Sequence, residues 1–244
     1  MDTPHLVSKS EITEIESKGF EITGGNISFH DFINEHFSGF GLGDYIKAID
    51  NLLGPLTQTR IEKQLAFFET PPPMLLMQYF SDDFSDDKNG LALSQALVKH
   101  DDQLVAELDY LRIPMAARKR GITKQLLNIN LQQYLLLGVD KIKLEAALEN
   151  GGLVWAKAFF TATEPVEVKS ILDKAEQLLS PLQFKYVKRV YDNYYEQYPD
   201  GKAFPMVKWS ELDGMDAVLT GSRWHGEIDL NNSSILTKFR NYVA

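Results

Sequence analysis

Apolar and polar positions alternate most regularly in the middle of the chain. Met74-Leu75-Leu76-Met77-Gln78-Tyr79-Phe80 is a short, nearly unbroken apolar run and predicts a buried strand. Two further strand-like runs, Leu91 to Lys99 and Leu104 to Ile113, are separated by His100-Asp101-Asp102-Gln103, which suits a hairpin. Strict alternation on the second run puts Leu104, Ala106, Leu108 and Tyr110 on one face, and Val105, Glu107, Asp109, Leu111 and Ile113 on the other. A basic loop follows, Arg118-Lys119-Arg120-Gly121. Beyond it Ile122, Leu126, Ile129 and Leu136 mark a helix of about 16 residues, which Gly138 ends. Ile142, Leu144, Ala146 and Leu148 alternate again and predict a strand broken at Asn150-Gly151-Gly152. Strand, loop, helix and strand form a βαβ unit, whose two strands belong in one sheet.

The flanking regions are less regular. Residues 19–70 show short helical patterns between the glycine breaks Gly24-Gly25 and Gly39-Phe40-Gly41-Leu42-Gly43, with helical spacing from Tyr45 to Leu53. Pro71-Pro72-Pro73 ends whatever precedes it, because proline forbids helix continuation. Asp82 to Gly90 reads as an acidic turn or loop. Past Phe160, Val166 to Leu179 and Leu182 to Tyr198 predict two helices joined at Ser180-Pro181, the second bearing Tyr186, Tyr191, Tyr194, Tyr195 and Tyr198. A turn-rich stretch is expected at Gly221-Ser222-Arg223-Trp224-His225-Gly226.

Composition narrows the classes. With 244 residues, 44% hydrophobic and 24% charged, the chain is long enough for a sizeable core and ordinary for a globular protein. The absence of cysteine excludes a disulfide scaffold, a thiolate zinc site and a cysteine nucleophile. Five scattered histidines show no ligand spacing, so no metal is expected. Glu11, Glu14 and Glu16 interrupt the N-terminal stretch, which does not read as a signal peptide, and no apolar run approaches a membrane span. A cytoplasmic protein is expected, with no membrane partner. The net charge of −9 is uneven: residues 1–103 hold 17 Asp/Glu against 7 Lys/Arg, and residues 104–244 hold 17 against 18. No basic stripe marks a nucleic-acid binder, and the acidic first part favours an amine-bearing partner over a phosphate-rich one.

The sharpest chemical feature is the stretch 118–124. A helix N-terminus presents unpaired N–H groups and partial positive charge, both favouring an anion. Gly121 lets backbone approach a ligand, and Arg118, Lys119, Arg120 and Lys124 place four cations in seven residues. A pyrophosphate could be held there.

Leu111-Arg112-Ile113-Pro114 followed by Arg118-Lys119-Arg120-Gly121-Ile122-Thr123-Lys124-Gln125-Leu126-Leu127 resembles the acyl-CoA-binding motif of the GNAT superfamily of N-acyltransferases. Arg118, Gly121 and Ile122 match the motif, and Thr123 stands at its final small position. Order is similar downstream too, through Asn150 and Leu153 to Phe160, so the likeness covers roughly residues 91–160. The resemblance implies an α/β (α+β) fold: a GNAT-like mixed central sheet flanked by helices, residues 1–160 forming the acyl-CoA-binding core and 161–244 a largely helical C-terminal extension packed on it. It implies acyl-CoA or acetyl-CoA as co-substrate, held by Leu111, Ile113, Arg118, Lys119, Arg120, Gly121, Ile122, Thr123, Lys124 and Asn150. The acceptor would be an amine of a small molecule, peptide or protein, acylated by direct transfer. Glu107 and Asp109 are the candidate bases, weighed against ion pairs with Arg112, Lys141 or Lys143. Trp224 and His225 are placed near the acceptor entrance. A CoA-binding or interaction module without catalysis and a toxin-like modifying acyltransferase are the alternatives.

Overall fold

The computed structural model describes residues 5–86 and 88–244, so Asp87 of the acidic loop and residues 1–4 lie outside it. The protein is mixed α/β and divides into two compact units, residues 1–140 with 243–244, and residues 141–242. The division falls after Asp140, within the stretch that the family likeness covers.

The first unit is a five-stranded mixed sheet in sequential order: β1 (Phe20–Gly24), β2 (Ile61–Phe68), β3 (Met74–Ser81), β4 (Ala92–Lys99) and β5 (Leu104–Arg112). β1 runs parallel to β2, and the remaining neighbours are antiparallel. Four helices belong to it: α1 (Lys9–Ser17), α2 (Phe29–His36), α3 (Leu42–Leu53) and α4 (Ile122–Leu137). The strands β3, β4 and β5 and the helix α4 fall where the pattern predicts them. β1 and β2 do not show in the pattern. On β2 the expected apolar position is Lys63, which faces the helices and pairs with Asp50 of α3 at 2.9 Å.

The helices pack on the face that carries Leu65, Phe67, Met77, Gln95 and Leu97. Phe32 of α2 contacts the Phe67 ring at 4.9 Å, and Leu42, Ile46, Ile49 and Leu53 of α3 are fully buried at the i, i+4, i+7, i+11 spacing of one helical stripe. Three buried polar groups join α3, β4 and α4 in a closed ring. Gln95 Nε2 donates to Tyr45 Oη at 2.5 Å, Tyr45 Oη donates to Asn130 Oδ1 at 2.7 Å, and Asn130 Nδ2 donates to Gln95 Oε1 at 2.9 Å. Such mutual satisfaction removes the desolvation penalty and fixes the height of α4 over the sheet. At the far end of α4, Gly138 takes the left-handed conformation, and Asp140 exchanges two 2.8 Å bonds with Leu104 at the start of β5.

The second unit holds β6 (Lys141–Ala146), β7 (Thr161–Ala162) and β8 (Trp224–Asp229), with β8 central and antiparallel to both neighbours. Between β6 and β7 lies α5 (Gly151–Lys157). Between β7 and β8 lie α6 (Pro165–Leu178), α7 (Pro181–Gln197), α8 (Met206–Ser210) and α9 (Met215–Leu219), and α10 (Ser233–Val243) follows. A terminal strand pair is therefore present, separated by four helices. Ser180 starts α7 with a reciprocal capping box to Gln183. Phe204 lies against Tyr191, Tyr194, Tyr195 and Trp209, so most of the α7 tyrosines pack inside this unit while Tyr186 and Tyr198 remain exposed.

The turn expected at 221–226 is a strand from Trp224 onward. Trp224, Gly226 and Ile228 point inward, and the indole lies so close to Gly226 that a Cβ there would come within 2.5 Å of it. Glycine sits in this strand to make room for a ring, a use that composition alone reads as a turn.

Candidate functional site

β5 runs through Ile113 and Pro114 into a tight turn at Met115–Ala117, then into the basic loop and α4. Arg118 Nε donates to the Ile113 carbonyl at 2.9 Å and closes the loop back on the strand end. Two residues of the loop have left-handed backbone, Lys119 (φ 62°) and Gly121 (φ 79°). For lysine this conformation costs on the order of 1–2 kcal/mol, and such strain concentrates at ligand-holding turns. No side chain caps the N-terminus of α4. Arg118, Lys119, Arg120, Gly121 and Lys124 are exposed, and Ile122 and Thr123 are half-buried. The loop thus offers a helix start, flexible-backbone glycine and a cation cluster within one turn of chain.

The second part of the site is a β-bulge. The β4–β5 register shifts between Ser94 and Gln95, with Ser94 opposite Tyr110 and Gln95 opposite Leu108, so Asp109 is the extra residue. This corrects the single-face assignment made from alternation. Leu111, opposite Leu93, lies on the helix-covered face with Ala106 and Leu108, while Glu107, Tyr110 and Arg112 lie on the other face. Glu107 and Leu111 therefore do not share a face. Asp109 accepts a 3.3 Å bond from the Ser94 hydroxyl, which places it on the face of Glu107. Burial, and then the Glu107 charge, push the Asp109 carboxyl above the usual aspartate range, against the lowering effect of the Ser94 bond.

Two of the cations weighed against catalysis make contacts away from Glu107 and Asp109. Lys141 pairs with Glu227 at 3.0 Å, and Arg112 donates to the Phe84 carbonyl at 3.0 Å with its guanidinium 5.7 Å from the Tyr110 ring. In the second unit, Asn150 stands exposed at the N-cap of α5. Trp224 is fully buried, its Nε1 donating to the Gly152 carbonyl at 3.3 Å, so it packs a core and lines no entrance from solvent. His225 is half-exposed, and its ring and backbone N–H both meet the Glu167 carboxylate at 2.7 Å.

The chain matches no family model, and a search of the curated proteins returns no significant match.

Two features escape the sequence pattern. Ser94 and Gln78 are polar residues inside largely apolar strands, and each is hydrogen-bonded toward Asp109. Their polarity at otherwise apolar positions was the available signal. A depression of about 1040 Å³ in the first unit lies away from this site, lined by residues of α1 and the start of α3. Its helix N-terminus is already occupied by the Glu11 carboxylate, which accepts from Gly43 N at 2.8 Å. Among the described residues no helix is long and apolar enough to cross a membrane, and no three or more His, Asp or Glu gather in a metal-binding group.

Proposed function

We propose that the chain is an acyl-CoA-dependent N-acyltransferase that moves an acyl group directly from a thioester to an amine. The observation that carries this reading is the join of the two site parts on one element pair. β5 bears a carboxylate raised above its usual range, and the same strand leads through a strained cationic loop into an uncapped helix start. The β7–β8 pair adds support, since the GNAT fold that the motif resembles ends in a terminal strand pair.

Chemically, the loop and the first N–H groups of α4 would hold the pyrophosphate of CoA. Asp109 would accept the amine proton as the nitrogen attacks the thioester carbon. The C–N bond then forms, the C–S bond breaks, and CoA leaves as the thiol once its sulfur is protonated. A raised carboxylate pKa brings the base closer to the amine it must relieve of a proton.

The test is release of free thiol from acetyl-CoA when an aliphatic amine is added. Asp109→Asn should lower the rate roughly a hundredfold while the protein stays folded. An unchanged rate in that variant places the base elsewhere, and no amine-dependent thiol release by the native protein rejects the reading.

A further inference from the structure

Of the 17 described residues of α7, Val187 alone is buried. Phe184, Tyr191, Tyr194 and Tyr195 on its inner side are half-buried. On the outer side Leu182, Lys185, Tyr186, Arg189, Asn193 and Glu196 follow the i, i+3, i+4, i+7, i+11, i+14 spacing of one helix face, and all six are exposed. Two large apolar side chains, Leu182 (63% exposed) and Tyr186 (45%), thus stand in water on this face.

The charges of α7 run against its own dipole. Lys185, Lys188 and Arg189 lie toward the N-terminus and Asp192 and Glu196 toward the C-terminus, with no acid in the first turn and no base in the last. A lone helix is stabilised by the reverse order, acids near its positive N-terminus and bases near its negative C-terminus. The i, i+4 pair of Lys188 with Asp192, at 2.6 Å, has the weaker base-before-acid order as well. Lys185, Arg189 and Glu196 make no ion pair among the described residues, and Arg189 lies 5.2 Å from the Tyr186 ring. An antiparallel copy of the same helix answers this order. In the register that sets Lys185 beside Glu196 of the other copy, Arg189 meets Asp192, and two-fold symmetry repeats both pairs. The two helix dipoles then oppose each other, and the overlap from 185 to 196 spans about 17 Å.

We propose that the outward face of α7 pairs antiparallel with the same face of a second copy of this chain, making a two-fold dimer. The pattern of signs selects this occupant. A polyanion or an anionic membrane would be drawn by Lys185 and Arg189 but repelled by Asp192, Glu196 and a net charge of −9. A parallel copy would set like charges side by side. The antiparallel contact also withdraws Tyr186, and at its rim Leu182, from water. One helix pair is a small contact, at the low end of specific interfaces, so the dimer is weak, reversible and salt-sensitive. It stands without the acyltransferase reading.

The test is analytical ultracentrifugation of the full chain up to about 200 μM, in about 50 mM and again in about 500 mM salt. Low salt should give a reversible doubling of mass with concentration, and high salt should weaken it several-fold. Two variants isolate the pairing. Lys185→Glu with Arg189→Glu makes the outer charges at 185, 189, 192 and 196 all acidic, and Asp192→Lys with Glu196→Lys makes them all basic. Each variant alone should lose more than about tenfold in self-association, because like charges then meet. Mixed together, they should associate at least as tightly as the native protein, since all the pairs are restored. Thermal unfolding checks that both fold, and either variant alone still decides whether α7 is the interface should the other fail. A native chain that stays monomeric, or a dimer that the variants leave intact, overturns the proposal. Variants that each dissociate but do not associate on mixing overturn the antiparallel pairing.

Discussion

At the scale of single residues, Asp109 sets a stability cost against a chemical use. Its folded-state pKa is raised by burial and by Glu107, so the protonated form is favoured by folding. The stability linked to it is fully present below the ordinary aspartate value of about 3.9 and is lost as pH rises through the raised value. Asp109→Asn should therefore unfold at a higher temperature than the native protein near neutral pH, with the gap shrinking as pH falls through the raised value and closed by about pH 4. Thermal melts across pH check this, and a variant less stable at pH 7 would contradict it. Loss of turnover with gain of stability is the pattern expected of a site residue rather than a scaffold residue. Neither the bulge nor its consequence was legible in the sequence. Period-2 counting through Glu107, Asp109 and Leu111 assumes one residue per pleat, and a single extra residue exchanges the faces of everything after it. Gly226 misled in a similar way, because its strand position depends on the Trp224 ring folded over it.

At the scale of elements, α4 was the most legible feature, since its apolar spacing, basic start and Gly138 stop all agree with the helix at Ile122–Leu137. It also offers a matched comparison. Gly121 and Gly138 flank the same helix, both at positive φ, and an added Cβ would meet nothing closer than 3.9 Å at the first and nothing within 4 Å at the second. Each change to alanine thus costs backbone strain alone, about 1 kcal/mol. Chemical denaturation should show similar losses for Gly121→Ala and Gly138→Ala, but only Gly121→Ala should weaken acetyl-CoA binding. Equal effects of the two on binding would mean that the loop backbone is not at the ligand. β2 was harder to read than α4 because its covered face holds Lys63, paired with Asp50, and β1 because its five residues are too few to set a period. β7, with two residues, carries no periodicity at all.

At the scale of the whole molecule, the sequence separates acidic and balanced regions, and the fold places carboxylates from both on one sheet face. In the first unit, Glu21, Glu62, Glu107 and Asp109 gather on one face of the sheet, while the cationic loop follows β5 at the start of α4. Under the proposed function, the amine and the polyanionic co-substrate would meet different surfaces of one unit. In the second unit, Tyr191, Tyr194 and Tyr195 of α7 pack half-buried against Phe204, which lies on Trp209. The central claim is that the 118–124 loop holds an acyl-CoA pyrophosphate. Lys119 and Arg120 are exposed and make no ion pair among the described residues, so reversing both charges tests the loop with little risk to the fold. Calorimetric titration with acetyl-CoA should give saturable binding to the native protein, and Lys119→Glu with Arg120→Glu should weaken it by more than about tenfold, or 1.4 kcal/mol. No binding by the native protein, or the same affinity in the double variant, would contradict the account.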